Sequence, residues 1–459
     1  MSNIYFDKDL IKKCQTNAPR YTSYPTADRF HMEYNIVSQI DNLAVFARQS
    51  QAISLYIHIP FCNTLCLYCG CNKIITNDKS KITKYIDYLE KEIQLYAKII
   101  GKKLPVLQLH FGGGSPSWMS IDEVNRIMQI VNKYFDLGSA NEIAMELDPR
   151  HVSREFVANL YEQGFNRISI GVQDLDPKVQ KAVNRVQPIE DTMLVLDEAN
   201  RLGFTSTSID LIYGLPFQTI AGFSRTIDLV IEEIKPARIA LFNYAHIPSL
   251  FFAQTRIKEY DLPGADVKLD ILQLSMDKLT SAGYVFIGMD HFARPDDELA
   301  IALQHNTLQR NFQGYSTHAD TDMLSFGVSS IGYINNSYYQ NVKDIDSYYN
   351  LLDNQQLPIL RGISLTPDDL VRKAVIGDIM CQFSLDYAKI AREFGVEFTQ
   401  YFAPELLKLE ELEKLEMIVL LEYGFRVTDK GRLLIRNIAV VFDYYFNNKQ
   451  KSAFYSKVI

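Results

Sequence analysis

Tyr56–Asn72 reads YIHIPFCNTLCLYCGCN, setting Cys62, Cys66 and Cys69 in a C-x3-C-x2-C array directly after a short apolar run. The run Ser54 to His58 fits a strand, so the array lies in the loop at that strand's carboxyl end. Four of the six cysteines fall within ten residues, while Cys14 and Cys381 stand alone, a grouping that suits metal ligands better than packing or a disulfide framework. Structural zinc usually takes four ligands, often as two C-x2-C knuckles, and no second knuckle exists. Ferredoxin spacing is C-x2-C-x2-C with a remote fourth cysteine, which also differs. Three thiolates fit an iron-sulfur cluster with one iron left open. Cys71 is too close to Cys69 to serve as a fourth ligand without straining the loop, so it is placed outside the metal shell, its role open.

An iron left open accepts an exogenous chelator, and an amino acid with free amine and carboxylate fits. The methionyl end of S-adenosylmethionine supplies that chelate. Electron transfer into its sulfonium then releases a 5'-deoxyadenosyl radical, a task for the reducing end of the range of cluster potentials. The protein's part is to position and shield such cofactors.

Outward from the array, the pattern is strand, functional loop, helix. Ile82, Tyr85, Ile86, Leu89, Ile93 and Tyr96 recur at helical steps and predict a helix over Lys81 to Ile100. Ser120 and Glu123 form a capping box ahead of Val124, Ile127, Met128 and Val131. Gly164, Gly203 and Gly283 each precede an aromatic residue and a β-rich run, as left-handed helix caps do. Strands are predicted at Ser54–His58, Leu107–Phe111, Ile143–Leu147, Arg167–Gly171, Thr207–Ile212 and Arg238–Tyr244, with helical patterns between every neighbouring pair. Six right-handed βα units curl into a partial or full β/α barrel with its active face at the strands' carboxyl ends. An open doubly wound sheet is the competing architecture.

The expected organisation is an N-terminal arm over residues 1–50, a barrel over 51–360 and a mainly helical, winged-helix-like domain over 361–459. Pro19–Thr26, PRYTSYPT, reads as a stiff arm packed across the barrel. Thr366-Pro367-Asp368-Asp369 opens the helical part, an apolar series runs through Leu406 to Leu421, Tyr423–Val427 suggests a strand, and a helix is expected from Thr428.

With 459 residues, 47% of them hydrophobic, the chain can bury a large core, and a net charge of -8 argues against general polyanion binding. The first residues, MSNIYFDKDLIKKC, lack a secretory pattern, and no apolar run approaches membrane-spanning length. The expectation is a cytoplasmic protein without nucleic-acid or membrane partners.

Polar residues gather at the predicted strand ends. In FGGGSP, the glycines let backbone approach a ligand, with groups suited to the methionyl amino end. Glu146 and Asp148 share a face in MELDPR. Gln173-Asp174 and Asp210 follow on the next strands, positions suited to ribose hydroxyls and amines, and Arg185 can meet a carboxylate in a bidentate pair. Helix caps and surface charges would look similar. His58 and His110 read as packed, hydrogen-bonded histidines, and His291 as a candidate for substrate work.

Taken together, YIHIPFCNTLCLYCGCN, FGGGSP, MELDPR, GVQD, STSIDLIYGLP, FNYAHIP, GMDHFARPDDELA, RNFQGY and GRLLIRNI resemble the oxygen-independent coproporphyrinogen III oxidases of the radical S-adenosylmethionine superfamily. The resemblance covers almost the whole chain. It implies oxidative decarboxylation of two propionate side chains of coproporphyrinogen III to vinyl groups, giving protoporphyrinogen IX, in haem biosynthesis. It further implies a 4Fe-4S cluster on Cys62, Cys66 and Cys69 and two molecules of S-adenosylmethionine. The first would touch Tyr56, Gly113, Glu146 and Ile331; the second Tyr68, Gly114, Ser115, Gln173, Arg185, Asp210 and Ala245. A flavodoxin-like reductant and a monomer are the family expectation. Ser115 stands where threonine also occurs, and Tyr68 where phenylalanine is usual. Related haem chaperones share the barrel but generally lack the YTSYPT arm and the Gly70-Cys71 continuation, both of which are present here. A redox-sensing winged-helix regulator is disfavoured by the acidic charge. The substrate's four carboxylates call for basic residues, for which Arg20, Arg294 and Arg310 are candidates.

Overall fold

The computed structural model describes residues 4–49, 52–317 and 321–448. The chain divides into two compact units, one of Phe30–Ile271 with Asp320–Ser364, the other of Met1–Arg29, Leu272–Ala319 and Leu365–Ile459. These cut across the segments 1–50, 51–360 and 361–459 expected from element pattern.

In the first unit, the six predicted strands are present, each end within two residues of its expected place: β1 Ile53–Ile59, β2 Val106–Gly113, β3 Glu142–Leu147, β4 Arg167–Gln173, β5 Ser206–Tyr213 and β6 Arg238–Asn243. They are followed by β7 Met323–Phe326, β8 Ile331–Ile334, β9 Ser337–Asn341 and β10 Ile359–Ser364. Within this unit the sheet order is β10-β9-β8-β7-β1-β2-β3-β4-β5-β6. Neighbours from β7 through β1 to β6 are parallel, while β7 to β10 continue antiparallel. A doubly wound sheet reverses its strand order at a switch point. Here β1 to β6 are in chain order with no reversal, which is barrel-type progression and excludes the competing architecture.

Helices fill the crossovers, among them α1 Ser80–Ile100, α2 Ile121–Tyr134, α3 Arg154–Glu162, α4 Ile189–Leu202 and α5 Ile220–Leu229. The six apolar residues predicted on α1 are all buried, each contributing about 1.5–3 kcal/mol of transfer free energy. Ser120 and Glu123 complete the capping box of α2. Gly203 closes α4 in the left-handed conformation, φ 91°.

Besides strands β7 to β10, two features of this unit were not foreseen. A helix, Ile36–Gln49, occupies the later part of the expected arm. On the apolar stripe of α1, Glu92 is fully buried. It accepts hydrogen bonds from Gly327 N (2.7 Å), Asn341 Nδ2 (2.6 Å) and the Tyr348 hydroxyl (2.6 Å), tying α1 to the returning strands.

In the second unit, Thr366 and Asp369 form a capping box with Pro367 at the start of helix Pro367–Gln382, as predicted. Ser384–Asp386, Gly424–Val427 and Ile418–Leu421 make a small antiparallel sheet in that order, beside helices Tyr387–Phe394 and Ala403–Lys414, a winged-helix-like arrangement. The Leu406–Leu421 series is therefore part helix and part strand. The backbone breaks at Glu416, φ 57°, before the β-branched pair Ile418 and Val419. The helix expected from Thr428 begins at Arg432 and is mixed in type, with Arg432–Leu434 and Val440–Phe442 as 3-10 turns on either side of the α-helical Ile435–Ala439. The PRYTSYPT stretch is held by this unit. Tyr21 donates to Asp443 Oδ2 (3.0 Å), and buried Arg436 donates through Nε to Pro19 O (3.0 Å) and through Nη2 to Ala18 O.

Candidate active site

Pro60 ends β1 and releases the cysteine loop. A two-residue strand, Phe61–Cys62, pairs with Ile74–Ile75 and pinches the loop's base, with Ile74 N on Pro60 O (2.7 Å) and Thr76 N on Cys62 O (2.9 Å). Leu67 anchors the middle in an apolar cluster with Val179, Val183 and Leu215, and its N–H donates to Val183 O (3.0 Å). No cysteine is in a disulfide; Cys66 is buried, Cys62 and Cys69 are half-buried, and Cys71 is exposed. The Cys71 thiol bonds Cys69, and that bond first of all lowers the Cys69 thiol to about 6, while burial pushes Cys62 up to about 12.

Three reduced thiols on a pinned loop fit an iron-sulfur cluster by donor chemistry. Among the described residues, no three His, Cys, Asp or Glu side chains converge closely enough to hold a single metal ion.

The glycine loop ending β2 packs directly on the cysteine loop. Gly113 has φ 117°, and a Cβ there would meet His58 Cε1 at 2.6 Å; one on Gly114 would meet the Pro60 carbonyl at 2.8 Å. Only glycine allows that approach. The amide groups of this loop are already engaged, Gly113 N with Glu146 Oε2 (3.2 Å), Gly114 N with Ile59 O (2.8 Å) and Ser115 N with Phe61 O (2.9 Å). What the loop can offer a ligand ammonium is carbonyl oxygen, the acceptor that such a donor needs.

Tyr56, Gly113 and Glu146 come together. The Tyr56 ring stacks on His110 at 5.9 Å, its hydroxyl lies 3.2 Å from His58 Nδ1, and His110 Nε2 lies 3.3 Å from Glu146 Oε1. His58 and His110 are hydrogen-bonded packing residues, as read from sequence. Burial pushes the Glu146 carboxyl up, but the bond and charge of His110, then Gly113 N–H and His58, outweigh it and hold it below its ordinary value. Ile331 joins the group through Ser325, which faces Tyr56 in the sheet and donates to Ile331 O (2.6 Å).

Five residues of the second set fall into two groups. Gln173, at φ 69°, and Arg185 crowd the space above Gly171, which pairs with Asp210 across the sheet. Arg185 Nη2 donates to Gly171 O (2.7 Å). Burial, then the Glu146 charge, raise Asp210 to about 7 against the pull of Arg185. Tyr68 and Ala245 are bridged by Gln254, whose Nε2 donates to both carbonyls (3.1 and 3.2 Å). Buried Ser115 stands 3.4 Å from Ser117.

Arg20, Arg294 and Arg310 belong to the second unit. Arg20 pairs with Asp290, Arg294 is largely exposed near Asp296, and Arg310 lies over the Tyr315 ring at 4.7 Å. His291 meets the same ring edge-on. Sequence reasoning missed Arg150 and Gln254; nothing in the spacing marks Gln254, whereas Arg150 is the arginine of MELDPR.

Two family patterns match the chain, the Radical SAM superfamily over residues 56–230 and the HemN C-terminal domain over residues 365–434. The oxygen-independent coproporphyrinogen III oxidase of Escherichia coli K12 is 46% identical over 100% of both chains, that of Salmonella typhimurium 46% over 99% of both, and that of Helicobacter pylori (strain 26695) 40% over 98% of this chain and 99% of the other. A solved structure of coproporphyrinogen III oxidase from Escherichia coli, described as a radical SAM enzyme, superposes with a TM-score of 0.92 at 45% identity, covering 97% of this chain and 100% of that one.

Proposed function

The chain belongs to the oxygen-independent coproporphyrinogen III oxidases of the radical S-adenosylmethionine superfamily, and from that premise we propose how its strand-end residues divide the work. The reaction is oxidative decarboxylation of two propionate side chains of coproporphyrinogen III to vinyl groups in haem biosynthesis. The observation that carries the reading is end-to-end identity to named oxidases together with a cysteine loop, glycine loop and carboxylates at consecutive barrel-strand ends.

Cys62, Cys66 and Cys69 would hold the 4Fe-4S cluster, with Tyr56, Gly113, Glu146 and Ile331 around one S-adenosylmethionine and Tyr68, Gly114, Ser115, Gln173, Arg185, Asp210 and Ala245 around a second. Bound there, the cofactors would supply a 5'-deoxyadenosyl radical able to take a β-hydrogen from a propionate, with carbon dioxide lost and one electron passed to an external acceptor as the vinyl group forms. The residues themselves bind and orient. Glu146, held ionised by His110 and Gly113 N–H, accepts from an ammonium or hydroxyl; Asp210 is placed to accept ribose hydroxyls; Arg185 carries fixed positive charge. Leu67 and its apolar neighbours keep water from one side of the loop.

Among the described residues no helix is long and apolar enough to cross a membrane. We further propose a cytoplasmic monomer that draws electrons from a flavodoxin-like donor and binds no nucleic acid. The test is anaerobic turnover of coproporphyrinogen III with reductant and S-adenosylmethionine. Protoporphyrinogen is expected from the intact chain and none from Cys66→Ala; product from the variant sinks the mechanism.

A further inference from the structure

Cys66 is buried, and two guanidinium groups converge on its sulfur. Arg185 Nη1 lies 3.6 Å and Arg150 Nη2 3.9 Å from Sγ, within reach of N–H to sulfur hydrogen bonds. Both arginines are themselves largely buried, with side chains 8% and 12% exposed. Of the other two thiols of the array, Cys69 has the Lys73 ammonium beside it and Cys62 faces the other cysteines and Asp148.

What aims Arg150 does not depend on the sulfur. Asp148 caps the short turn Pro149–His151, taking the Arg150 N–H on Oδ1 (3.3 Å). Its carboxylate grips the guanidinium bidentately, Nε on Oδ1 at 2.9 Å and Nη2 on Oδ2 at 2.6 Å, and receives Arg185 Nη1 on Oδ2 at 3.2 Å. Asp148 is in turn fixed through its backbone by Ser117, its N–H donating to Ser117 Oγ (2.9 Å) and its carbonyl accepting from it (3.3 Å). Two cations and one anion leave a net positive charge against a single thiolate. A bidentate fork of this kind is rigid, and a lysine could not reproduce it.

We infer that Arg150, oriented by Asp148, is a positioning residue that hydrogen-bonds the Cys66 thiolate and raises the reduction potential of the cluster. The inference rests on the reading of Cys66 as a cluster ligand. Hydrogen bonds to the sulfurs and net charge set cluster potentials. Adding an electron to an already anionic cluster is favoured by a nearby cation and by donors on its sulfur, so losing either makes reduction harder.

The experiment is an anaerobic redox titration of the reconstituted full chain, followed by electron paramagnetic resonance, on wild type, Arg150→Gln, Arg150→Lys and Cys66→Ala at matched iron and sulfide content. Arg150→Gln is expected to lower the ratio of reduced to oxidised cluster about tenfold at fixed potential, a shift of about 59 mV to the negative for one electron. Arg150→Lys, which keeps the charge but loses the fork, is expected to shift to the negative by less than Arg150→Gln does. A midpoint for Arg150→Gln within twofold of wild type, or a positive one, overturns the inference. Should Arg150→Gln fail to hold the cluster, Arg150→Lys decides alone, and no shift or a positive one overturns it. An intact cluster in Cys66→Ala removes the ligand reading itself, an outcome distinct from a cluster that needs Cys66 but ignores Arg150.

Discussion

Glu92 and Asp210 are both carboxylates drawn deep into the first unit, and burial above all pushes both up to about 7, yet their surroundings are opposite. Glu92, behind the sheet, is enclosed by three donors from the returning segment. Asp210, at a strand end, accepts no hydrogen bond among the described residues, and its partners are charges, Glu146 against it and Arg185 for it. Its side chain still borders open space. A buried carboxylate saturated by the protein is part of the architecture. One left unsaturated beside a cationic neighbour keeps bonding capacity that a ligand can use, which is the role proposed for Asp210.

The contrast breaks most visibly by truncation. Glu92→Ala should lower stability by about 3 kcal/mol or more, since each buried donor left unmatched costs about 1–3 kcal/mol; an unchanged denaturation midpoint would erase the distinction. Asp210→Ala should instead hold or raise that midpoint while weakening S-adenosylmethionine binding about 10- to 150-fold, the worth of a charged hydrogen bond of about 1.5–3 kcal/mol. Calorimetric titration of the cluster-loaded protein measures it.

The pH dependence sharpens the comparison. Both groups keep a proton in the folded chain that the unfolded chain has released, so each makes stability fall as pH rises from the ordinary carboxyl range through about 7. Glu92→Gln and Asp210→Asn should each flatten that decline. Adding S-adenosylmethionine should flatten the Asp210 contribution only, because donors to its ionised form pull it down. Denaturation midpoints at several pH values, with and without ligand, separate the two. The smallest expected effect is Tyr348→Phe, about 1 kcal/mol of stability from one lost bond to Glu92, with turnover unchanged.

Much of this was legible in the chain. Period and glycine placement gave the six strands because parallel barrel strands are short, apolar and separated by strongly patterned helices. The cysteine and glycine loops were legible because few sequences put such residues at successive strand ends. Glu92 carries a signal that was overlooked: it stands three residues beyond Leu89 and seven beyond Tyr85, on the stripe facing the core. Strands β7 to β10 escaped for two reasons: β7 pairs with the distant β1, which local pattern does not encode, and the hairpin of β8 and β9 through Asn335-Asn336, both at positive φ, is a local signal that was overlooked. Arg150 looked like any helix-cap neighbour; its aim at Cys66 comes from the turn that Pro149 starts and Asp148 caps.

One consequence concerns the order in which the molecule is made. β1, the strand that carries the cysteine loop, has β2 on one side and β7 on the other, and β7 is synthesised about 260 residues later. At roughly 5–20 residues per second, β1 keeps an open edge for on the order of 10–50 s after it leaves the ribosome. The sheet on which the loop rests is therefore completed well after the loop itself is made, and β1 waits for its second partner in the meantime. Until then, whatever shields that edge in the cell also guards the site.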